Sequence, residues 1–310
     1  IPNYGEFYEK RYFSPAPKGN ASYPLWVEET TIFGTDQLFA DINLSETKVA
    51  CEICEDLWAG IPPSVRHTAA GATIVVNLSA SDETVGKAEY RKTLLGAHSG
   101  KNVCAYVYAD AGMGEATTDM VFAGHDLVFE NGSLLAEAKP FSGTEAEAEI
   151  DVSFLAAERR RLGSFVSAAT ADGYAVTEST FTGAGELSLR KVPRLPFVPA
   201  ESGTLGERAE LILTMQAHAL AKRLGHTAAK TAVVGISGGL DSSLALLVTA
   251  RAFELLGKDK KEIVAVTMPG FGTTGKTYQN SLKLIECVGA SGRTINISKS
   301  VLQHFDDISH

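Results

Sequence analysis

The chain has 310 residues, 45% of them hydrophobic and 21% charged, with a mean hydropathy of +0.02. This composition excludes collagen-like and disordered chains, and the length suits about two domains. Lys and Arg total 28 against 37 Asp and Glu, giving a net charge of -9, which argues against broad contact with a nucleic-acid backbone or an anionic membrane.

No apolar run approaches the roughly 18 residues that a membrane helix needs, and Ile1 to Lys10 lacks the grammar of a signal peptide. A soluble, cytoplasmic protein is expected. Its four cysteines, Cys51, Cys54, Cys104 and Cys287, are too few for a disulfide framework. Cys51 and Cys54 form a CxxC, but on a strand an offset of three sends the two side chains to opposite faces, which disfavours a shared metal or redox role. No metal ligand set is assigned, and the seven histidines read as surface or core residues.

From residue 48 strands alternate with helices: a strand at Lys48 to Cys54, a helix near Pro63 to Ala70, a strand at Thr73 to Leu78 and a helix near Thr84 to Ser99. Strands at Val103 to Tyr108 and His125 to Glu130 follow, and Asn131-Gly132 signals a tight turn into a strand at Ser133 to Ala138. A first domain over residues 1–152 is expected to close on these antiparallel strands. Residues 153–205, rich in Ser, Thr, Gly and Pro, read as an interdomain connector, with Arg159-Arg160-Arg161 as a solvated helix face. The second domain, 206–310, reads as helix Gly206 to Leu224, strand Thr231 to Ile236, helix Leu240 to Leu256, strand Glu262 to Met268, helix Gly275 to Gly289 and strand Arg293 to Ile297. That is the beginning of a doubly wound parallel sheet.

Within it, Gly235-Ile236-Ser237-Gly238-Gly239-Leu240-Asp241-Ser242-Ser243 places a strand end, a Ser-Gly-Gly turn and a helix start in succession. Glycines admit close backbone approach, and first-turn N–H groups with the helix dipole favour an anion. Asp241 is expected to cap the helix. The loop is neither a Walker A sequence nor a GxGxxG. The SGGxDSS pattern in this context resembles the pyrophosphate loop of the ATP pyrophosphatase enzymes, which implies ATP binding at Gly235 to Ser243. The next strand ends at Met268, which is a candidate to pack on adenine.

In the first domain, Cys54-Glu55-Asp56-Leu57-Trp58 follows a hydrophobic strand, so the thiol lies where the chain leaves the sheet. A cysteine attacks a carboxamide as thiolate and needs a proton acceptor and an oxyanion partner. The segments Ile1-Pro2-Asn3-Tyr4-Gly5-Glu6-Phe7-Tyr8-Glu9, Ile53-Cys54-Glu55-Asp56-Leu57-Trp58 and Asn77-Leu78-Ser79-Ala80-Ser81 resemble, in order, those of glutamine-hydrolysing amidases of the nitrilase superfamily. The resemblance implies Cys54 as nucleophile, Glu9 as the second glutamate, and Tyr4, Phe7, Glu55, Ser81 and Lys87 at the positions that hold glutamine.

An amidase of this kind followed by a pyrophosphate loop resembles the glutamine-dependent NAD synthetase family over nearly the whole chain. The implied fold is α/β: part of a nitrilase-like αββα sandwich, then the first half of a doubly wound pyrophosphate-loop domain. The implied chemistry is glutamine hydrolysis that supplies ammonia for ATP-dependent adenylylation and amidation of nicotinic acid adenine dinucleotide, with Mg²⁺ ligands beyond His310 and a homo-oligomer in the intact protein. The family's catalytic Lys and general-base Glu precede the segment that Ile1 to Tyr4 matches, so the chain reads as cut at both ends and deficient in both half-reactions. The alternatives are an ATP-binding fragment without turnover and another amidase-coupled pyrophosphate-loop ligase.

Overall fold

The computed structural model describes residues 11–16, 19–26, 29–115, 120–168, 172–181, 187–199 and 202–310. The chain forms two compact units, Ile1–Lys191 and Val192–His310.

In the first unit β1 (Asn20–Trp26) and β2 (Glu29–Gly34) pair antiparallel as a separate two-stranded sheet. The main sheet has seven strands: β3 (Gln37–Asp41), β4 (Lys48–Ile53), β5 (Ile74–Ser79), β6 (Ala105–Asp110), β7 (Leu127–Glu130), β8 (Ser133–Glu137) and β9 (Ala175–Ser179). Their order is β8-β7-β6-β5-β4-β3-β9, with β4, β5 and β6 parallel and β7 and β8 antiparallel beyond them. The expected α/β pattern with an antiparallel end is therefore present. Helices α1 (Pro63–Ala69) and α2 (Lys87–Asn102) supply the crossovers β4 to β5 and β5 to β6. Pro63 opens α1 without cost because the first helical N–H has no partner inside the helix.

Alternation along the strands defines two faces. Ala50 and Glu52 on β4, Val75, Asn77 and Ser79 on β5, and Tyr106 and Tyr108 on β6 are all buried. Leu57, Leu95, Leu127 and Phe129 pack with this layer into the unit's largest apolar cluster. Cys51, Ile53 and Leu78 lie on the other face and are exposed. Cys104 is fully buried, and burial pushes its thiol up to about 12, where it is inert.

Part of the segment read as a connector is built into this unit. Helix α3 (Val152–Arg161) is capped by Asp151, whose carboxylate accepts from the Phe154 N–H (2.8 Å). After the short α4 (Gly163–Ala168), β9 pairs parallel to β3 across residues 175–179. The solvated-face expectation fails at Arg159. It is buried, donates from Nε to the Val103 carbonyl (2.8 Å) and from its guanidinium to the Ala72 carbonyl (2.6 Å), and lies over the Phe165 ring. Those carbonyls lie just before strands β6 and β5, and a buried acceptor without a donor would cost about 1–3 kcal/mol. Arg160 and Arg161 are exposed, as expected.

The second unit contains α5 (Ser202–His226), β10 (Ala232–Gly235), α6 (Leu240–Leu255), β11 (Ile263–Thr267), α7 (Gly275–Val288), β12 (Ser291–Thr294) and α8 (Ser298–Asp307). The three strands are parallel in the order β10-β11-β12. Leu246, Ala250 and Phe253 of α6 and Ile285 of α7 bury against Ile263 and Ala265. The third strand starts two residues earlier than its apolar residues suggest. Polar Ser291 to Thr294 make the ladder, while Ile295 donates its N–H to Thr267 and Ile297 to Pro269 beyond the strand.

Candidate active site and nucleotide loop

Strand β4 ends at Ile53, and a 3-10 turn, Cys54–Trp58, begins at once. Cys54 has φ +50, a left-handed conformation that is strained for a residue with a Cβ. The strain is held from both sides. The Asn77 amide oxygen accepts from the Cys54 N–H (2.9 Å) and the amide nitrogen donates to the Cys54 carbonyl (3.3 Å). Asp56 closes the turn by accepting from the Ile53 N–H (2.8 Å). Asn77 also donates to the Tyr106 hydroxyl (3.0 Å), which in turn donates to Glu52, whose second oxygen accepts from the Ser64 N–H (2.9 Å). Burial is the largest influence on Glu52 and raises its carboxyl above the usual range, against the opposing bonds from Tyr106 and Ser64.

The thiol of Cys54 faces the buried side of the sheet and Cys51 the exposed side, the opposition expected from their spacing. Ser79 donates to the Cys54 sulfur (3.5 Å). Beside it lies a cavity of about 210 Å³ lined by Cys54, Glu55, Trp58, Ala80, Ser81, Asp82 and Lys87. Four residues proposed from sequence, Cys54, Glu55, Ser81 and Lys87, therefore line one cavity. The other three, Tyr4, Phe7 and Glu9, lie outside the described residues.

The cavity's groups are fixed individually. The Lys87 ammonium donates to the Asp82 carboxylate and carbonyl, both at 2.6 Å, and sits 5.8 Å from the Trp58 ring centre, which itself stacks on Tyr90. The Ser81 N–H is held by Asp110 (3.0 Å), whose carboxyl burial pushes up to about 6. Glu55 lines the cavity, and one of its carboxylate oxygens is buried with no hydrogen-bond partner among the described residues. Sequence reasoning missed Asn77, Ser79 and Asp82 as site residues. Asn77 and Ser79 were within reach, since their offset of two places them on one strand face below the strand end that bears Cys54.

In the second unit, the chain leaves β10 at Gly235 and enters α6 at Leu240. The Ser242 hydroxyl accepts from the Ser237 N–H (3.2 Å) and Ser243 donates to the Gly239 carbonyl (2.7 Å), so the serines shape the loop itself. The first-turn N–H groups of Leu240, Asp241 and Ser242 have no acceptor within a helix of this geometry and remain suited to an anion. Asp241 does not cap the helix as expected. The N-cap is Gly239, which makes no side-chain cap bond, and Asp241 occupies the first turn. Gly238 has φ +83, and a Cβ there would overlap the Thr277 carbonyl oxygen and lie 2.9 Å from its carbonyl carbon. Its requirement for glycine thus comes from α7 as well as from any ligand.

Gly235, Ile236, Ser237 and Met268 line a cavity of about 350 Å³ together with Thr267, Gly272, Thr273 and Thr277. Ile236 is buried in the unit's core, so it serves the cavity through its backbone, and Met268 is half-exposed. The two threonines of the loop and α7 were missed. Thr273 lies in the loop that leaves the C-terminal end of β11, where ligands bind in such sheets, and Thr277 in the first turn of α7.

Residues 212–310 match the family model for NAD synthase. The matched residues lie within the second unit, with its parallel sheet and glycine-turned loop. Over its whole length the chain is a homologue of glutamine-dependent NAD(+) synthetases. It is 35% identical to that of Mycobacterium tuberculosis (strain ATCC 25618 / H37Rv), an alignment covering 100% of this chain and 47% of the relative. It is 36% identical to that of Mycobacterium leprae over the same shares, and 26% to that of Aquifex aeolicus over 99% of this chain and 48% of the relative. A solved structure of the glutamine-dependent NAD+ synthetase from Acinetobacter baumannii, in complex with adenosine diphosphate, aligns with 99% of this chain and 46% of its own at 21% identity and a TM-score of 0.37. The chain thus spans about half the length of the curated relatives it matches.

Proposed function

We propose that this chain carries parts of both half-reactions of glutamine-dependent NAD synthesis, the first unit (residues 1–152 at its core) as amidase and residues 206–310 as nucleotide site. The observation that carries the reading is the pairing, in one homologous chain, of a cysteine cavity at a strand end with a pyrophosphate-type loop. In the amidase reaction the Cys54 sulfur attacks the carboxamide carbon of glutamine. The carbon–nitrogen bond breaks, ammonia leaves with a proton, and water then releases glutamate from the thioester. The carboxylate of Glu55 suits the ammonium group of the amino acid, and Ser81 and Lys87 line the same cavity. By the same resemblance Tyr4, Phe7 and Glu9 belong to the proposed site.

At the second site the loop from Gly235 to Ser243 receives the phosphates of ATP and Met268 flanks the adenine. The carboxylate of nicotinic acid adenine dinucleotide takes the adenylyl group, pyrophosphate departs, and ammonia displaces AMP. N–H donors of the loop offset the charge that develops on the leaving pyrophosphate. Among the described residues no group of three or more His, Cys, Asp or Glu is placed to hold a metal ion. No step is therefore assigned to the metal.

The test is made in an enzyme of the relatives' full length. Cys54→Ala abolishes NAD formation from glutamine and spares formation from added ammonia. Equal loss with both nitrogen donors would refute the division of labour. Nucleotide binding without turnover is a second reading for the chain alone, since among the described residues the bond at the Cys54 sulfur comes from a hydroxyl and not from a base.

A further inference from the structure

Cys54 is gripped by alternate residues of one neighbouring strand, Asn77 at its backbone and Ser79 at its sulfur. Behind Ser79 stands Tyr108, whose hydroxyl lies 2.7 Å from the Ser79 oxygen. Both are buried, Ser79 at 9% and Tyr108 at 1% exposure, so neither hydroxyl orients by exchanging with bulk water. A serine has one proton to give. If it points to sulfur, the bond between the two hydroxyls must run from tyrosine to serine. Burial raises Tyr108 well above the usual phenol range, so its proton is available throughout neutral pH.

The charges around the thiol make such a donor consequential. Glu55 from the cysteine's own turn, Asp82 from the loop after β5 and Lys87 from α2 share its cavity. Lys87 and Asp82 are paired with each other, and Glu55 opposes a second negative charge nearby. Asp56 of the same turn is engaged by the Ile53 N–H; from β6 the Tyr106 and Tyr108 hydroxyls face the strand end and the Asp110 carboxyl, which burial pushes up to about 6, holds the Ser81 N–H, while Glu52 of β4 is bonded by Tyr106. Ser79 is the group among these that bonds to sulfur.

We propose that Ser79, aligned by Tyr108, is a dedicated hydrogen-bond donor to the Cys54 thiolate, with Ser79 touching the reacting atom and Tyr108 acting as a positioning residue. The proposal rests on the reading of Cys54 as nucleophile, but its test does not require turnover. Iodoacetamide alkylation of Cys54 is followed by mass spectrometry as a function of pH in the full chain, in a Cys51→Ser, Cys287→Ser background. A hydrogen bond to a charged group corresponds to about one pH unit or more. Ser79→Ala is therefore expected to move the midpoint of the rate profile up by about one unit, slowing alkylation roughly tenfold at neutral pH while the alkaline plateau stays in place. Tyr108→Phe moves the midpoint in the same direction by less, and Ser79→Thr restores it. An unchanged midpoint in Ser79→Ala, or a loss of rate that is uniform in pH, would overturn the proposal. Failure of the Cys54→Ala test above would leave this profile standing, so the two readings fail separately.

Discussion

Cys54, Gly238 and Arg159 show how far a residue's chemistry can be read before its neighbours are known. The thiol at the end of a strand was legible because strand parity and the strand's end are local properties. Its positive φ was not, because nothing in Ile53-Cys54-Glu55 demands it; Asn77, 23 residues away, holds both backbone polar groups. Gly238 was legible as a loop glycine, but the collision that forbids a side chain comes from α7. Gly238→Ala should accordingly destabilise the second unit by about 2 kcal/mol or more, through positive φ and overlap, as well as weaken ATP binding. Denaturant unfolding followed by hydrogen exchange in residues 232–294 checks the first part and calorimetric ATP titration the second; an unchanged midpoint would show that α7 yields to the new side chain.

His98 carries a pH dependence. It lies on α2 with its Nε2 2.7 Å from the Ser64 hydroxyl and its ring edge-on to Tyr106. Burial, with the nearby Lys101 charge, lowers it from 6.5 to about 4. The folded state thus prefers the neutral ring. That preference stabilises fully above the unfolded value of 6.5 and is lost as pH falls through about 4, a change of up to about 3 kcal/mol. His98→Gln should flatten the pH dependence of stability between these values, measured as the urea midpoint at pH 7 against pH 4.5. An equally steep fall in the variant would move the acid sensitivity elsewhere.

Among the elements, strands and helices with apolar periodicity were readable and those held by long-range polar bonds were not. Strand β9 has an exposed, mixed sequence, and its place at the sheet edge comes from pairing with β3, more than 130 residues earlier. Helix α3 was read as solvated because a basic triplet usually is, whereas Arg159 finds two strand-end carbonyls that only the fold brings near. The N-terminus of α7 links an element to the loop from Gly235 to Ser243. Thr274 caps it by accepting from the Thr277 N–H, and the Thr277 carbonyl is the group packed on Gly238. Thr274→Ala should cost about 1 kcal/mol of stability and, by loosening that contact, weaken ATP binding a few-fold. Calorimetry on the variant measures both; a stability loss with unaltered ATP affinity would show that the cap serves α7 alone.

For the molecule as a whole, two sites in two units set what the chain can do alone. Among the described residues the bond at the Cys54 sulfur comes from Ser79, and the cavity's lysine, Lys87, is paired with Asp82. A general base is worth roughly 10² to 10⁴ in rate and a single oxyanion donor roughly 10² to 10³. In an enzyme of the relatives' full length, Cys54→Ala should lower glutamate release from glutamine by at least about 10²-fold and leave ATP affinity unchanged. Glutamate release and calorimetric ATP titration on the same variant decide it, and a parallel loss of both would show that the two sites do not act separately.

One set of properties is carried by short stretches of the chain on their own. These are the α/β alternation, the cysteine at a strand end, the Ser-Gly-Gly turn between strand and helix, and the order of the motifs that mark the homology. Periodicity and turn chemistry act over a few residues and need no partner. Tertiary structure decided which side chains close on those motifs: Asn77 and Ser79 around the thiol, Asp82 on Lys87, the Thr277 carbonyl on Gly238 and Arg159 beneath the sheet. Each is a polar or steric contact between segments distant in the chain or on different elements. Its energy depends on distances of a few tenths of an ångström and on burial, and both exist only once the sheets have formed.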